Sequence, residues 1–379
     1  MALKSNLKIL IAAPAIFVYG GAEVLIARLC GWLRARGVEH ALLTTAMIPE
    51  MREHLGDTRI FVSPNKYGNV PGEILALKRG LDSRAAGFDV VNIHNFPAEI
   101  AAFSLKKPSV WLCNEPALHL HLEGSALSLK SRVFFNLLKP LDRFIVRNRV
   151  KNVVVSDEFN AARARRLYGV EPEIINYGID ADFFAAGTGG GAAEKYGFAG
   201  KFVILQAGML SPLKNQLASL RALPEVLKTI PDALLVFAGH GEPAYKAALD
   251  GYIAARGLGG KVLFTGHVSR DEVRSLMHAA HVLLHPIKSQ GGWLSPYEAL
   301  CAGLPVVASK EMTSSDIMAR EEIGVVTDEY AGAVARIHAD YAAYKAMAAK
   351  GGRYVKASFS WDKFCAAMLA CCQKAAERR

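Results

Sequence analysis

From one end to the other, short apolar runs alternate with amphipathic helical patterns, and a chain built this way is restricted to parallel sheets covered by helices on both faces. The candidate strands fall into two series. The first runs through Lys8 to Ala13, His40 to Thr44, Ile60 to Ser63, Val90 to His94, Ser109 to Cys113, Asn152 to Ser156 and Glu173 to Asn176. The second runs through Phe202 to Ala207, Leu234 to Ala238, Val262 to Thr265, Val282 to His285, Val306 to Ser309 and Gly324 to Val326. Between them, Tyr177 to Gly200 carries Thr188, Gly189, Gly190 and Gly191 without periodicity, the composition of a loop or hinge. A length of 379 residues suits two domains. The reading is therefore α/β, with two doubly wound, Rossmann-like parallel-sheet domains over 1–177 and 178–359, followed by a helical stretch over 360–379.

With 51% hydrophobic and 21% charged residues, each domain can bury a full core, which excludes a disordered chain. The formal net charge of +10 favours an anionic partner: a nucleotide, a nucleic acid or an acidic lipid surface. No aromatic-interleaved basic stripe, zinc knuckle or RNA-binding signature is present, so nucleic acid is not the expected partner. The six cysteines lack CxxC spacing and mostly sit in apolar runs, as reduced core cysteines do. Lys4, Lys8 and the run Ile9 to Val18 imitate a signal peptide, but Gly20, Gly21, Glu23 and Arg28 turn the pattern into strand, glycine turn and helix. No stretch approaches the roughly 20 apolar residues of a membrane span. The expectation is a cytoplasmic protein, soluble or peripheral on the membrane.

The most informative stretch runs from Lys288 to Val307 (KSQGGWLSPYEALCAGLPVV). Ser295 reads as a helix N-cap, Pro296 as the first helical residue and Glu298 as the partner completing a capping box. Gly303 ends the helix and Pro305 prevents its resumption. A glycine loop entering a two-turn helix offers free N–H groups to a phosphate. Taken singly, Glu298 would only cap. Its company changes that: Gln206 to Gln216 (QAGMLSPLKNQ) is a second strand, glycine turn and helix start with Lys214 beside it, and Ala238 to Glu242 (AGHGE) repeats the pattern. In a parallel sheet such loops share the carboxyl edge, where ligands bind.

These motifs resemble the retaining glycosyltransferases of family 4, and the resemblance spans nearly the whole chain. Gly208 to Asn215 is similar to the family's G-R-L-x-x-x-K-(G/N) segment, and Gly239 to Glu242 to its G-x-G-P-like loop. Gln290 to Glu298, with Ala302-Gly303-Leu304-Pro305-Val306-Val307, is similar to its pair of glutamates separated by seven residues ahead of A-x-A-x-G-x-P-V. In the N-terminal half, Tyr19 to Glu23 resembles the first loop and Asp89 to Asn95 the D-V-V-x-x-H strand. The resemblance implies the GT-B fold, two domains facing a cleft, with the helix over 360–379 joining the N-terminal domain. It implies a nucleotide-diphosphate sugar as donor, no bound metal or other cofactor, and retention of configuration. Gly20, Gly21, Gly208, Met209, Lys214, Gly239, His240, Gly292, Trp293, Leu294, Ser295 and Glu298 become donor-site candidates, with Glu298 on the ribose hydroxyls and Lys214 on the diphosphate. His94, Asn95 and His119 become acceptor-side candidates.

Three positions depart from the family pattern. Met209 stands for a phosphate-binding arginine, Gln290 for the first glutamate, and Asn114 for a histidine; Asn114 is followed directly by Glu115. Lys214, Gln290, Asn114 and Glu115 are the catalytic candidates. Neutral amides still read sugar hydroxyls, but a missing cation costs the leaving group about 3 to 4 kcal/mol, and Lys288 and His240 are candidates to compensate. The histidines offer no set of three convergent metal ligands. The expected function is transfer of a hexose-type sugar to a glycan or lipid-linked acceptor. A basic amphipathic stretch over 125–151 is a candidate contact with an anionic membrane. The rival reading is a protein of this fold that binds nucleotide or glycan without transfer.

Overall fold

The structure is a computed structural model that describes residues 7–17, 20–114, 129–150, 152–288 and 293–377. Two compact units divide it, Met1–Gly178 with Trp361–Arg379, and Ile179–Ser360.

Unit one holds seven strands: β1 (Lys8–Ala12), β2 (Glu39–Thr44), β3 (Arg59–Val62), β4 (Val90–His94), β5 (Ser109–Leu112), β6 (Asn152–Val155) and β7 (Glu173–Ile174). They form one parallel sheet in the order β3-β2-β1-β4-β5-β6-β7. Unit two holds β8 (Phe202–Ala207), β9 (Ala233–Ala238), β10 (Val262–Gly266), β11 (Val282–His285), β12 (Val306–Ala308) and β13 (Val325–Val326), parallel in the order β10-β9-β8-β11-β12-β13. Every strand expected from the apolar runs is present, displaced by at most a residue or two. Parallel sheets bury both faces, so their strands read as continuous apolar runs; β4, β8 and β9 are buried at every residue.

In each sheet the strand order reverses once, between β1 and β4 in the first and between β8 and β11 in the second. A crevice opens outside the carboxyl ends of the strands at such a reversal, which is where α/β sheets bind ligands.

The segment expected to be a loop between the strand series instead carries two short helices, Ala181–Ala185 and Gly190–Lys195. Gly189 serves close approach: a Cβ there would meet the backbone of Ala279 at 2.6–2.7 Å. The last helix, Trp361–Glu377, buries Phe364, Cys365, Met368 and Cys372 and packs on β4, β5 and the helix Gly21–Ala35, all in unit one. A Cβ on Gly178 would lie 2.6 Å from Trp361 Cα. All six cysteines are buried thiols without a disulfide.

Candidate functional site

At the reversal in the second sheet, β8 runs into Gly208, Met209 and the helix Gln216–Thr229. Gly208 and Gly239 sit at φ 138° and 145°, where a side chain is strained. A Cβ on Gly239 would also lie 2.2 Å from the Gly208 carbonyl oxygen. That contact lets the loops after β8 and β9 run side by side: Gly208 N–H donates to the Ala238 carbonyl at 2.9 Å and Leu210 N–H to the His240 carbonyl at 2.9 Å. The His240 ring meets His267, beyond the end of β10, edge-on at 5.2 Å between centroids.

Lys214 is half-buried in this loop. Its backbone is fixed by two buried glutamines. Gln206 donates to the Lys214 carbonyl at 2.7 Å and is itself held by the Ser219 hydroxyl at 2.7 Å. Gln216 donates to the Met209 carbonyl at 3.0 Å and accepts from Ser211 N–H at 3.3 Å. Asn215 then takes the left-handed conformation at φ 56° as N-cap residue of the helix. From there its side chain donates to the Pro286 carbonyl at 2.9 Å, and Lys288 N–H donates to the Leu213 carbonyl at 2.9 Å. These two bonds tie the loop holding Lys214 to the segment leaving β11. Sequence reasoning missed Gln206, Gln216 and Asn215 as supports, although a glutamine inside the apolar run FVILQA is a signal that a buried polar group has a partner.

The helix after β11 corrects one expectation. It spans Leu294–Cys301 with Trp293 as its N-cap residue, so Ser295 lies inside the first turn and is not the N-cap. Trp293 already holds helical angles, φ −61° and ψ −46°. Its buried indole packs at 5.1 Å on Tyr297 and at 4.8 Å on Phe359, which starts the helix earlier than the serine would. Glu298 is therefore the fifth helical residue and not a cap. Burial pushes its carboxyl up to about 7; the Arg270 guanidinium pulls it down and Asp180 pushes it up again. A carboxyl held near neutrality can change charge with its surroundings. Met209 is 54% exposed at this edge, so no cation occupies that position. Gln290 and Gly292 lie outside the described residues.

At the reversal in the first sheet, the loop after β1 leads to Gly20 and the helix Gly21–Ala35. Gly20 N–H donates to the Glu23 carboxylate at 3.1 Å. Glu73, 8% exposed at the start of the helix Val70–Arg84, accepts from Ala15 N–H at 2.8 Å, from Asn65 at 2.9 Å and from the Thr45 hydroxyl, so one buried carboxylate shapes this loop. His94, at the end of β4, is fully buried beneath the edge. Its Nε2 pairs with Asn92 at 2.9 Å, and burial pushes it down to about 3, so it stays neutral. Asn95 and Asn114 sit half-buried above it. The Tyr177 hydroxyl donates to Asn114 Oδ1 at 2.6 Å, and Asn114 Nδ2 donates to Asn95 Oδ1 at 2.6 Å. Glu115 and His119 lie outside the described residues.

The helix Leu129–Ile145 exposes Val133 (52%), Leu137 (72%), Leu141 (42%) and Phe144 (53%), spaced by four, four and three residues along one face. Lys130, Arg132, Arg143 and Arg149 are exposed beside them, and the helix's acid, Asp142, is buried against the Tyr168 hydroxyl at 3.0 Å. Among the described residues no helix is long and apolar enough to cross a membrane, and no three acidic, histidine or cysteine side chains cluster to hold a metal ion.

Two family models match the chain: Glycosyltransferase Family 4 over residues 19–183 and Glycosyl transferases group 1 over residues 192–352. A putative glycosyltransferase YtcC of Bacillus subtilis is 26% identical over 321 residues, covering 78% of this chain and 75% of that protein. The phosphatidyl-myo-inositol mannosyltransferase of Mycobacterium tuberculosis is 27% identical over 320 residues, covering 81% and 78%. Among solved structures, Anabaena Alr3699/HepE in complex with UDP-glucose superposes with a TM-score of 0.77 at 19% identity, covering 98% of this chain and 99% of that one. At such identity the structural likeness speaks for the fold, which is GT-B.

Proposed function

We propose, from the premise that this chain belongs to the glycosyltransferases, with a family 4 N-terminal half and a group 1 C-terminal half, that it moves a hexose-type sugar from a nucleoside-diphosphate donor to a glycan or lipid-linked acceptor with retention of configuration. The observation that carries the donor assignment is the pair of bonds joining the Lys214 loop to the segment after β11, at the reversal of the second sheet. A diphosphate there meets an ammonium and the backbone N–H groups of the loop after β8. Glu298, once ionised, accepts hydrogen bonds from the ribose hydroxyls.

In transfer, the bond from the anomeric carbon to the β-phosphate oxygen breaks, and its electron pair leaves with the diphosphate. The acceptor hydroxyl oxygen bonds to the same face of the oxocarbenium-like carbon. Its proton passes to the departing phosphate oxygen. We assign the acceptor to unit one and a membrane-bound form of it to the exposed apolar stripe of the helix Leu129–Ile145. The flanking cations complement anionic lipid, each contributing about 1 kcal/mol near such a surface.

Thermal-shift titration with nucleoside diphosphates tests the donor site, because a bound nucleotide raises the melting temperature with its concentration. NMR of the glycosidic product tests retention; an inverted anomer rejects it. Co-sedimentation with phosphatidylglycerol vesicles that equals that with neutral vesicles rejects the membrane contact. The exposed Met209, in place of a cation at the donor edge, favours the second reading of binding without transfer; nucleotide binding with no turnover across a donor panel would select it.

A further inference from the structure

We infer that Tyr177 is a positioning residue for the acceptor-side edge, fixing the amide of Asn114 so that this edge offers N–H donors to a ligand oxygen. The inference deepens the transferase reading and rests on it for its functional half.

An asparagine side chain can present either its oxygen or its two N–H groups, and rotating it by half a turn exchanges them. Asn114 is held in one sense by two partners. The Tyr177 hydroxyl takes up its Oδ1 at 2.6 Å, and its Nδ2 in turn takes up Asn95 Oδ1 at 2.6 Å. Both side-chain oxygens are thereby engaged, while Asn114 keeps a second amide proton and Asn95 its Nδ2 protons to donate. A hydroxyl or phosphate oxygen, which has lone pairs to offer, is the group such an edge recognises.

Each member of the chain is anchored. Asn95 stands in the left-handed region at φ 57°, which asparagine tolerates better than other side-chain-bearing residues, and it closes β4 next to the reversal in strand order. Asn114 lies two residues beyond the end of β5. Tyr177 is 7% exposed, packs edge-on against Phe364 at 6.0 Å, and directly precedes Gly178, which abuts Trp361. Tyr177 therefore carries its hydroxyl on a ring that cannot swing away. A hydrogen bond from an anchored donor removes the rotational freedom that a half-buried amide otherwise keeps.

The test is Tyr177→Phe, which preserves the ring packing and deletes the hydroxyl, together with Asn114→Ala and the double variant. Expected for Tyr177→Phe are a tenfold or greater fall in kcat for transfer, unchanged thermal shift with nucleoside diphosphate, and no further loss when Asn114→Ala is added. A kcat within twofold of the parent, or losses that multiply in the double variant, overturns the inference. Asparagine-selective 15N spectra provide a readout independent of turnover: the Asn114 side-chain proton bonded to Asn95 is expected to be protected from exchange in the parent and to lose that protection in Tyr177→Phe. If the parent transfers nothing from any donor, the transferase reading fails. The positioning role is then decided by these spectra, and an unmoved Asn114 signal rejects it.

Discussion

The carboxyl edges of the two sheets reach rigidity by opposite routes. The second sheet's edge is mainly backbone: Gly208, Gly239 and Gly266 all stand at positive φ where β8, β9 and β10 end, and amide-to-carbonyl bonds lace neighbouring loops. The first sheet's edge is mainly side chain, with Glu73 gathering three donors around the loop after β1 and Tyr177, Asn114 and Asn95 forming a chain of hydrogen bonds. A backbone edge tolerates many side chains but no Cβ at its glycines. A side-chain edge fails when one polar group is removed, because its partners stay buried and unsatisfied. A transferase that holds a constant donor moiety on the first kind of edge and a variable acceptor on the second can change acceptors without rebuilding its nucleotide site.

The sharpest attempt to break this contrast is Lys214→Ala. Removing the charge we propose to act on the leaving group is expected to lower kcat/KM about 100-fold, or about 2.7 kcal/mol, and to erase the nucleoside-diphosphate thermal shift while the apo melting temperature stays put. An unchanged shift would move the donor away from this edge. Gly239→Ala comes next: the added Cβ meets the Gly208 carbonyl oxygen at 2.2 Å in a strained φ. The expected cost is about 2 kcal/mol of stability, read by urea denaturation, and a variant as stable as the parent would show that the loops do not need this contact. Glu73→Ala probes the other edge. It should cost about 1.5 kcal/mol by stranding three donors and speed amide exchange over residues 13–17, yet leave nucleotide affinity intact; a loss of nucleotide affinity would abolish the division of labour.

Glu298 gives a smaller, pH-dependent effect. Burial raises its carboxyl from 4.5 to about 7 in the folded protein. The folded state then holds this proton to higher pH than the unfolded chain, so the group's contribution to stability falls as pH rises from 4.5 to about 7 and stays lost above that. Its half-buried carboxyl keeps part of its solvation, which limits the effect to about 1 kcal/mol. Glu298→Gln should therefore raise the apo melting temperature at pH 8 by about 2–4 °C and leave it unchanged at pH 4. Nucleoside-diphosphate affinity, in turn, should strengthen from pH 6 to 8 in the parent and stay flat in the variant. The smallest expected change is Met209→Arg, which places a cation on an exposed position without core strain and should tighten the diphosphate about threefold by calorimetry.

The same contrast explains what the sequence discloses. The strands were legible because a parallel strand buried on both faces must be an unbroken apolar run, and the loops at the carboxyl edge of the second sheet were legible because glycine, lysine and helix-start residues lie within a dozen positions of one another. The first sheet's edge was not. Glu73 is 58 residues from Ala15, and Tyr177 is 63 residues from Asn114, so no local spacing announces either group. Ser295 was misread as a cap because local rules see a serine three residues before a glutamate, whereas the burial of Trp293 against Phe359, 66 positions away, decides where that helix begins. The close fit of Gly189 was hidden for the same reason: its neighbour, Ala279, is remote in sequence.

The placement of the helix Trp361–Glu377 against β4 and β5 has a consequence for synthesis. Unit two is continuous, from Ile179 to Ser360, and has its whole chain in hand before translation reaches Trp361. Unit one, although begun first, lacks a cover for Phe364's neighbours on its sheet until the helix Trp361–Glu377 has been made. Domains commonly mature in the order they are made; here the later-made domain can mature first, and the nascent N-terminal sheet must wait with part of its apolar face uncovered.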